Sequence, residues 1–401
     1  MTRTLFTGGR VVDGTGAPAA AADVVIEDGR VVEVGPGLDG DVEVDCAGAT
    51  VLPGFVDCHV HVMVTSVDSL RMAYTPFGYS FYEAAQNLRA TIGAGITTVR
   101  DAGGADLGVK KAVDDGLVAG PRMQISVAPL SITGGHGDDW LPSGTHLEFF
   151  VPHPGRPSGL CDGPDEVRRT VRQMLRAGAD VIKVHTTGGV LSPTDDPRHA
   201  HFSPAELDVM VAEAAAQGAS VMAHAQGAPG IKNAVRAGIR SIEHGIYLDD
   251  EAIELMLEHG TWLVPTLSAP LAVIRAADAG ASIPPSSVAK ARGVVQTHRE
   301  SFARAVEAGV KVAMGTDAAV SPHGTNLEEL PLMAAGGMTP DQVLAATTSS
   351  AAALLGMQDE IGRLAPGMRA DVVVVEGDAR ELEGLRERVR EVWKDGVRVV
   401  G

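Results

Sequence analysis

With 401 residues, 45% of them hydrophobic and only 4% aromatic, the chain has material for a large aliphatic core of the kind that packs helices on a sheet. Its 33 basic and 51 acidic residues give a formal charge of −18, which repels phosphate backbones and anionic lipids at long range and argues against nucleic-acid and membrane partners. Cys46, Cys58 and Cys161 are an odd count without metal-knuckle spacing, and no apolar stretch reaches signal-peptide or membrane-spanning length, so the expectation is a cytoplasmic protein with reduced thiols.

Up to about residue 50 the chain reads as short strands, Thr4 to Phe6, Arg10 to Val12, Asp23 to Ile26 and Arg30 to Val34. Asp13-Gly14, Asp28-Gly29 and Pro36-Gly37 punctuate them as turns. A matching set closes the chain: Asp371 to Val375, Val389 to Val392 and Val397 to Val400, the last two joined by an Asp395-Gly396 hairpin signal. The two ends are expected to pair into one small β domain.

Between them, apolar strand-like runs alternate with amphipathic helical segments, the pattern of a parallel sheet with crossover helices. Eight strands are predicted: Phe55 to His59, Ile96 to Arg100, Arg122 to Val127, Asp180 to Val184, Ser220 to His224, Ser241 to Glu243, Thr261 to Pro265 and Lys311 to Met314. Ser203-Pro204-Ala205-Glu206 and Thr339-Pro340-Asp341-Gln342 are capping boxes with proline at the first helical position, the second opening a helix that stops at Gly356. Residues 130–163 and 267–290 read as long connections. Eight strands with interleaved helices favour a closed barrel over an open sheet.

At the C-terminal ends of these strands stand groups able to bind metal: His59 and His61, Lys183, His224, His244 and Asp317. Residues two apart on a strand share a face, so His59 and His61 can grip one ion. Each histidine alone could be a hydrogen-bonded structural residue; their convergence at one rim is what points to a metal. Lys183 cannot ligate as an ammonium. Among Val181, Ile182 and Val184 it would favour its neutral form and could add carbon dioxide to give an oxygen-donor carbamate, or it could simply pair with a carboxylate.

With these motifs the chain resembles the amidohydrolase superfamily, more narrowly the imidazolonepropionase-like group that includes metal-dependent Xaa-Pro dipeptidases and related amidases. The resemblance rests on Gly8 to Gly14, Leu52 to His61, Gly95 to Asp101, Ile182-Lys183, Ala223 to Ala225, Ile242 to Gly245, Gly315 to Asp317 and Gly362 to Asp371. It implies an α/β fold, a distorted (β/α)8 TIM barrel at 54–360 with a small β-sandwich domain built from residues 1–53 plus 361–401. It implies two divalent metal ions: His59, His61 and Asp317 around the more buried, His224 and His244 around the more exposed, and N6-carboxylated Lys183 bridging them. Zinc suits imidazole and carboxylate-type oxygen, with manganese and cobalt open. A homo-oligomer is implied as well.

The chemistry expected from that centre is hydrolysis of an amide bond by a metal-bridging hydroxide, the ions lying about 3.5 to 4 Å apart. Asp317 is the candidate to take the proton and deliver it to the leaving amine, or it is a ligand only. In the first long loop, His136 could donate to the carbonyl oxygen or be a solvated loop residue. Tyr247 and Arg100 could receive a substrate carboxylate, although packing or pairing with a neighbour is the commoner fate of such residues; Gln226 lies near the site. A dipeptide of the Xaa-Pro kind or an N-acyl amino acid is the leading small-molecule substrate. A cyclic-imide hydrolase or deaminase of imidazolonepropionase type, a xenobiotic amidase or esterase acting on mycotoxin or pesticide amides, and a non-catalytic relative are the alternatives.

Overall fold

The computed structural model describes residues 2–141 and 143–401. Both chain ends enter one six-stranded sheet, ordered Val397–Val400, Val389–Lys394, Val372–Glu376, Ala49–Pro53, Arg10–Val11 and Ala20–Ala21. Val372–Glu376 runs antiparallel to Ala49–Pro53, from Val372 opposite Pro53 to Glu376 opposite Ala49. A four-stranded sheet of Arg30–Gly35, Asp23–Glu27, Thr4–Thr7 and Val42–Asp45 accompanies it. Val372 and Val374 pack with Phe6, Val24 and Val31, whereas Val373 and Val375 join the central core. The unbroken valine run is therefore a strand buried on both faces, which is why it does not alternate with polar residues. Asp28-Gly29 and Asp395-Gly396 both turn with positive φ (48° and 74°; 49° and 77°), as two-residue hairpins require.

The middle of the chain is built from parallel strands. Phe55–Val60, Ile96–Asp101 and Arg122–Ile125 form one sheet, and Val181–His185, Ser220–Gly227, Ser241–Tyr247 and Trp262–Val264 form another. Helices such as Tyr79–Gly93, Gly163–Arg176, Pro204–Ala215 and Ala228–Arg236 run between them and bury stripes including Val167, Val171 and Met174. Leu130 exchanges backbone hydrogen bonds with Lys183 and His185 at 2.8 and 2.9 Å, linking one sheet to the other. On the far side Asp317 N donates to His59 O at 2.7 Å and Cys58 N to Met314 O at 2.9 Å. No helix among the described residues is long and apolar enough to cross a membrane.

Three expectations are corrected. Lys311 to Met314 is not a regular strand but is held by the single bridge Leu263–Val312 and by the bond of Cys58 N to Met314 O, with a second bridge, Val60–Ala318, four residues further on. Gly315 lies so close to its neighbours that a Cβ would stand 2.4 Å from Val264, and Asp317 and Ala319 follow at positive φ, which ends extended pairing. Residues 267–290 are mostly helical, comprising Ser268–Asp278 and the start of Pro285–Ala308. The segment after Thr339 is two helices, Pro340–Ala346 and Ser349–Leu355, broken where the Thr347 hydroxyl bonds back to Val56 O; the stop at Gly356 stands, with φ 73°. Both capping boxes form as expected.

The start of Ser268–Asp278 escaped sequence reading because its cap comes from elsewhere in the chain. The buried carboxylate of Glu329 accepts the N–H groups of Leu267 (2.6 Å) and Ser268 (2.8 Å). Burial pushes Glu329 up to about 7 from its ordinary 4.5, against the opposing hydrogen bonds of Ser268 and Leu267. The folded state thus holds this proton more tightly than the unfolded chain, so the contribution is fully present below about 4.5 and is lost as pH rises through about 7. Compared with Glu329→Gln by chemical denaturation, the native protein is expected to lose about 3 kcal/mol of relative stability over that window; a pH-independent difference would contradict this.

Candidate metal centre

The strand ends bring the six residues together. His59 lies on Phe55–Val60 with His61 just beyond it, Lys183 on Val181–His185, His224 on Ser220–Gly227, and His244 on Ser241–Tyr247. Asp317 occupies the turn after Val312. Its Oδ1 lies 3.2 Å from His61 Nε2 and 3.6 Å from His59 Nε2, and Lys183 Nζ is 3.5 Å from His59 Nε2. His59, His244 and Asp317 offer ligand atoms all within 4.8 Å of one another. The His244 and His224 rings are 4.7 Å apart, and all six residues line one cavity of about 310 Å³.

Each imidazole has one nitrogen committed to the protein. His59 Nδ1 donates to Glu243 Oε2 (2.7 Å), His61 Nδ1 to the Gly103 carbonyl (2.8 Å) and His224 Nε2 to the Gly188 carbonyl (3.0 Å), while His244 Nδ1 pairs with the Thr266 hydroxyl (2.7 Å). An imidazole whose one N–H is so engaged presents a lone pair at the other nitrogen, as a metal ligand must. Glu243 is itself fixed by Arg100 (2.9 Å) and the Ser241 hydroxyl (2.6 Å). Opposite it, buried Asp57 accepts from the Thr316 hydroxyl (2.6 Å), Asn326 (2.7 Å) and His59 N (3.0 Å), holding the turn that carries Asp317.

The electrostatics suit a cation. Burial, followed by nearby positive charge, holds His59, His224 and His244 well below the ordinary imidazole value, so they are neutral donors. Burial brings Lys183 down to about 8, opposed by Glu243 and Asp317, which leaves a substantial fraction of neutral amine near physiological pH. For Asp317 burial works upward, yet the His61 hydrogen bond and the surrounding positive potential, Lys183 included, outweigh it and keep the carboxylate ionised. The same pairing lifts His61 against burial. Three neutral imidazoles, His61 beside its carboxylate partner, one ionised carboxylate and a buried amine form a donor set that fits divalent zinc or a similar ion.

The remaining predicted residues separate. His136 lines the cavity half-buried, which is not the placement of a solvated loop residue. Gln226 lines it too, buried, with Oε1 lacking a hydrogen-bond partner. Arg100 lies beneath the floor, 1% exposed, bonded to Cys58 O, Ser241 and Glu243, so it pairs internally and does not face substrate. Tyr247 is not in the cavity wall but packs with Val67, Ile246 and Ala272. His185 was missed, although it follows Lys183 by two on the same strand face, the spacing that singled out His59 and His61; it is buried in the wall with Nδ1 unpartnered. Glu243 and Asp195 carried no local signal.

A sequence model of the Amidohydrolase family matches residues 50–400. Ochratoxinase from Aspergillus niger is 37% identical over 420 residues, covering 98% of this chain and 86% of that protein. The crystal structure of a prolidase complexed with N-methylphosphonate-L-proline is similar with a TM-score of 0.91 and 37% identity, over 100% of both chains. That of a Xaa-Pro dipeptidase with methionine bound in its active site gives 0.90 and 34%, again over 100% of both.

Replacing Glu243 by Ala is expected to weaken metal affinity about 10- to 100-fold, measured by competition with a chelator, because His59 loses the acceptor that orients it. It should also lower stability by about 3 to 5 kcal/mol, since Arg100 is left buried without its counter-charge. Unchanged affinity would sever Glu243 from the site.

Proposed function

The chain belongs to the Amidohydrolase family and is a hydrolytic enzyme acting on amide bonds, and from that premise we propose that it is a binuclear metal-dependent hydrolase of dipeptides of the Xaa-Pro kind or of N-acyl amino acids. The observation that carries this reading is the meeting of His59, His61, Lys183, His224, His244 and Asp317 around one cavity floor. In it, His59, His61 and Asp317 would hold one ion and His224 and His244 the other, with Lys183, once carboxylated, supplying oxygen donors to both. When bound, the ions would activate water at neutral pH and polarise the scissile carbonyl.

The protein's own groups supply the rest. Asp317, ionised and hydrogen-bonded to His61, takes a proton at a carboxylate oxygen and returns it to the leaving amine. His136 directs Nε2 toward the carbonyl oxygen, and Gln226 offers its unpartnered Oε1 to an N–H of the substrate. The likeness to a prolidase and a Xaa-Pro dipeptidase supports this substrate class. We infer likewise that the parallel strands close into a distorted (β/α)8 barrel spanning 54–360, and that 1–53 with 361–401 form a composite β-sandwich. The cross-links at Leu130 and Asp317 and the sheet shared by both chain ends support this arrangement.

A second reading, an amidase for bulky apolar amides such as a mycotoxin or pesticide amide, is favoured by the cavity wall. Trp140, Leu147, Phe149, Phe150, Leu191 and Ile246 line the cavity, and among the described lining residues Lys183 is the single lysine or arginine. A free carboxylate would therefore meet imidazoles and backbone N–H groups, whereas an aryl or alkyl half would be well covered.

Zinc-loaded protein assayed against dipeptides, N-acyl amino acids and aryl amides separates these readings. Elemental analysis is expected to give about two ions per chain; a value near one would overturn the binuclear centre. Asp317→Asn should lower kcat by at least about 100-fold with its melting temperature little changed, and near-native turnover would remove its proton-transfer role.

A further inference from the structure

His136 is held more rigidly than a loop histidine needs to be. Its ring stacks on that of His224, centroids 4.3 Å apart and planes 22° from parallel. It also presses on Gly189 so closely that a Cβ there would stand 2.1 Å from Cε1, so any side chain at 189 would displace the ring. Nδ1 meets the Ser192 hydroxyl at 2.8 Å and Asp195 Oδ2 at 3.2 Å. Nε2 has no protein partner among the described residues, and the ring lines the cavity.

Asp195 is anchored in turn. Its side chain is 4% exposed, both oxygens receive the Gly189 N–H at 3.2 Å, and Oδ1 takes the Ser192 hydroxyl and lies 3.3 Å from Lys290 Nζ. Lys290, on Pro285–Ala308, also donates to the carbonyls of Gly189 (2.8 Å), Ser192 (2.6 Å) and Asp195 (2.8 Å), and Ser287 on the same helix donates to Leu191 O at 2.8 Å. Burial would raise the Asp195 carboxyl, but His136, Ser192 and Lys290 hold it well below the usual range. A loop tie alone would need only Lys290 and the Gly189 N–H; His136 arrives from a different loop and is the member that reaches the cavity.

We propose that Asp195 is a positioning residue that acts through His136: anchored by Lys290, it takes the Nδ1–H and aims Nε2 at the substrate. The inference rests on the reading that His136 meets the scissile group. A carboxylate facing Nδ1 fixes the ring plane, and its negative charge offsets that of the doubly protonated ring, the form in which Nε2–H can donate to a substrate oxygen while Nδ1–H stays on Asp195. The same helix that walls the cavity thereby sets the ring's orientation through one lysine.

Crystal structures of metal-loaded Asp195→Ala and of the native protein decide the matter independently of turnover. The expected result is a His136 ring that has left its stack on His224, with metal content unchanged; a ring in its native place overturns the proposal. Asp195→Ser, too short to reach Nδ1, serves the same comparison should the alanine variant fail to fold. On the best N-acyl amino acid substrate, Asp195→Ala should lose about 10- to 100-fold in kcat with KM changed less than about threefold. The Asp195→Ala/His136→Ala double variant should be no slower than His136→Ala, and Asp195→Asn, which keeps an oxygen for Nδ1–H, should recover most of the loss. Multiplicative losses in the double variant would also overturn the proposal, whereas a native protein that hydrolyses no amide would overturn the functional reading and leave the ring-position result to stand on its own.

Discussion

Burial of the Glu243 carboxylate is the constraint from which the geometry of the site follows. A carboxylate taken out of water must have every lone pair answered, and Glu243 is answered by Arg100 and Ser241 on Oε1 and by His59 on Oε2. Arg100 in turn reaches Cys58 O, so Phe55–Val60 and Ile96–Asp101 of one sheet are tied to Ser241–Tyr247 of the other. His59 is thereby held in the tautomer that turns Nε2 toward Asp317 and Lys183. Asp57 performs the corresponding task beside it, and burial pushes its carboxyl up to about 6 even with Thr316 and Asn326 donating to it. The histidine floor therefore rests on a layer of buried acids whose partners leave little freedom for rearrangement.

Backbone strain gathers at the same level. Val127, His244, Thr266 and Asp317 all have positive φ, at 68°, 72°, 50° and 59°; Val127 and Thr266 lie just beyond parallel strands, His244 interrupts Ser241–Tyr247, and Asp317 adjoins the bridge at Ala318. Such conformations cost on the order of 1 to 3 kcal/mol each. They persist because specific bonds over-determine them: His244 Nδ1 to Thr266, Asp317 N to His59 O, and Asp57 to the Thr316 N–H and hydroxyl. The strands supply rigidity, and the abrupt turns at their ends point side chains inward where an extended continuation would have pointed them along the rim.

Polar floor and apolar wall have different origins. The floor comes from strand ends, whereas the wall comes largely from residues 134–141, Leu147, Phe149, Phe150 and 190–194 and from Ser268–Asp278. Lys290 ties the turn that includes Ser192 and Asp195 to Pro285–Ala308, and Glu329 caps the start of Ser268–Asp278. The candidate metal ligands thus stand on or beside strand ends, and most of the apolar lining stands on connecting segments.

The amino-acid sequence by itself determined what depends on near neighbours. Asp28-Gly29 and Asp395-Gly396 could be read as hairpins because only residues tolerant of positive φ turn so tightly, and the boxes at Ser203 and Thr339 declared helix starts because cap and partner lie within four residues. His59 and His61 were legible through the two-residue period of a strand. The tertiary structure alone decided that Arg100 faces Glu243 across 143 positions, that Glu329 caps a helix 61 positions earlier, that the segment expected as the eighth strand pairs only through a single bridge, and that His136 lies on Asp195. Local conformation follows from steric and hydrogen-bonding preferences within a few residues. The choice of partner for a buried charge is made only when distant segments compete for the same dry space, and no local pattern records which one fills it.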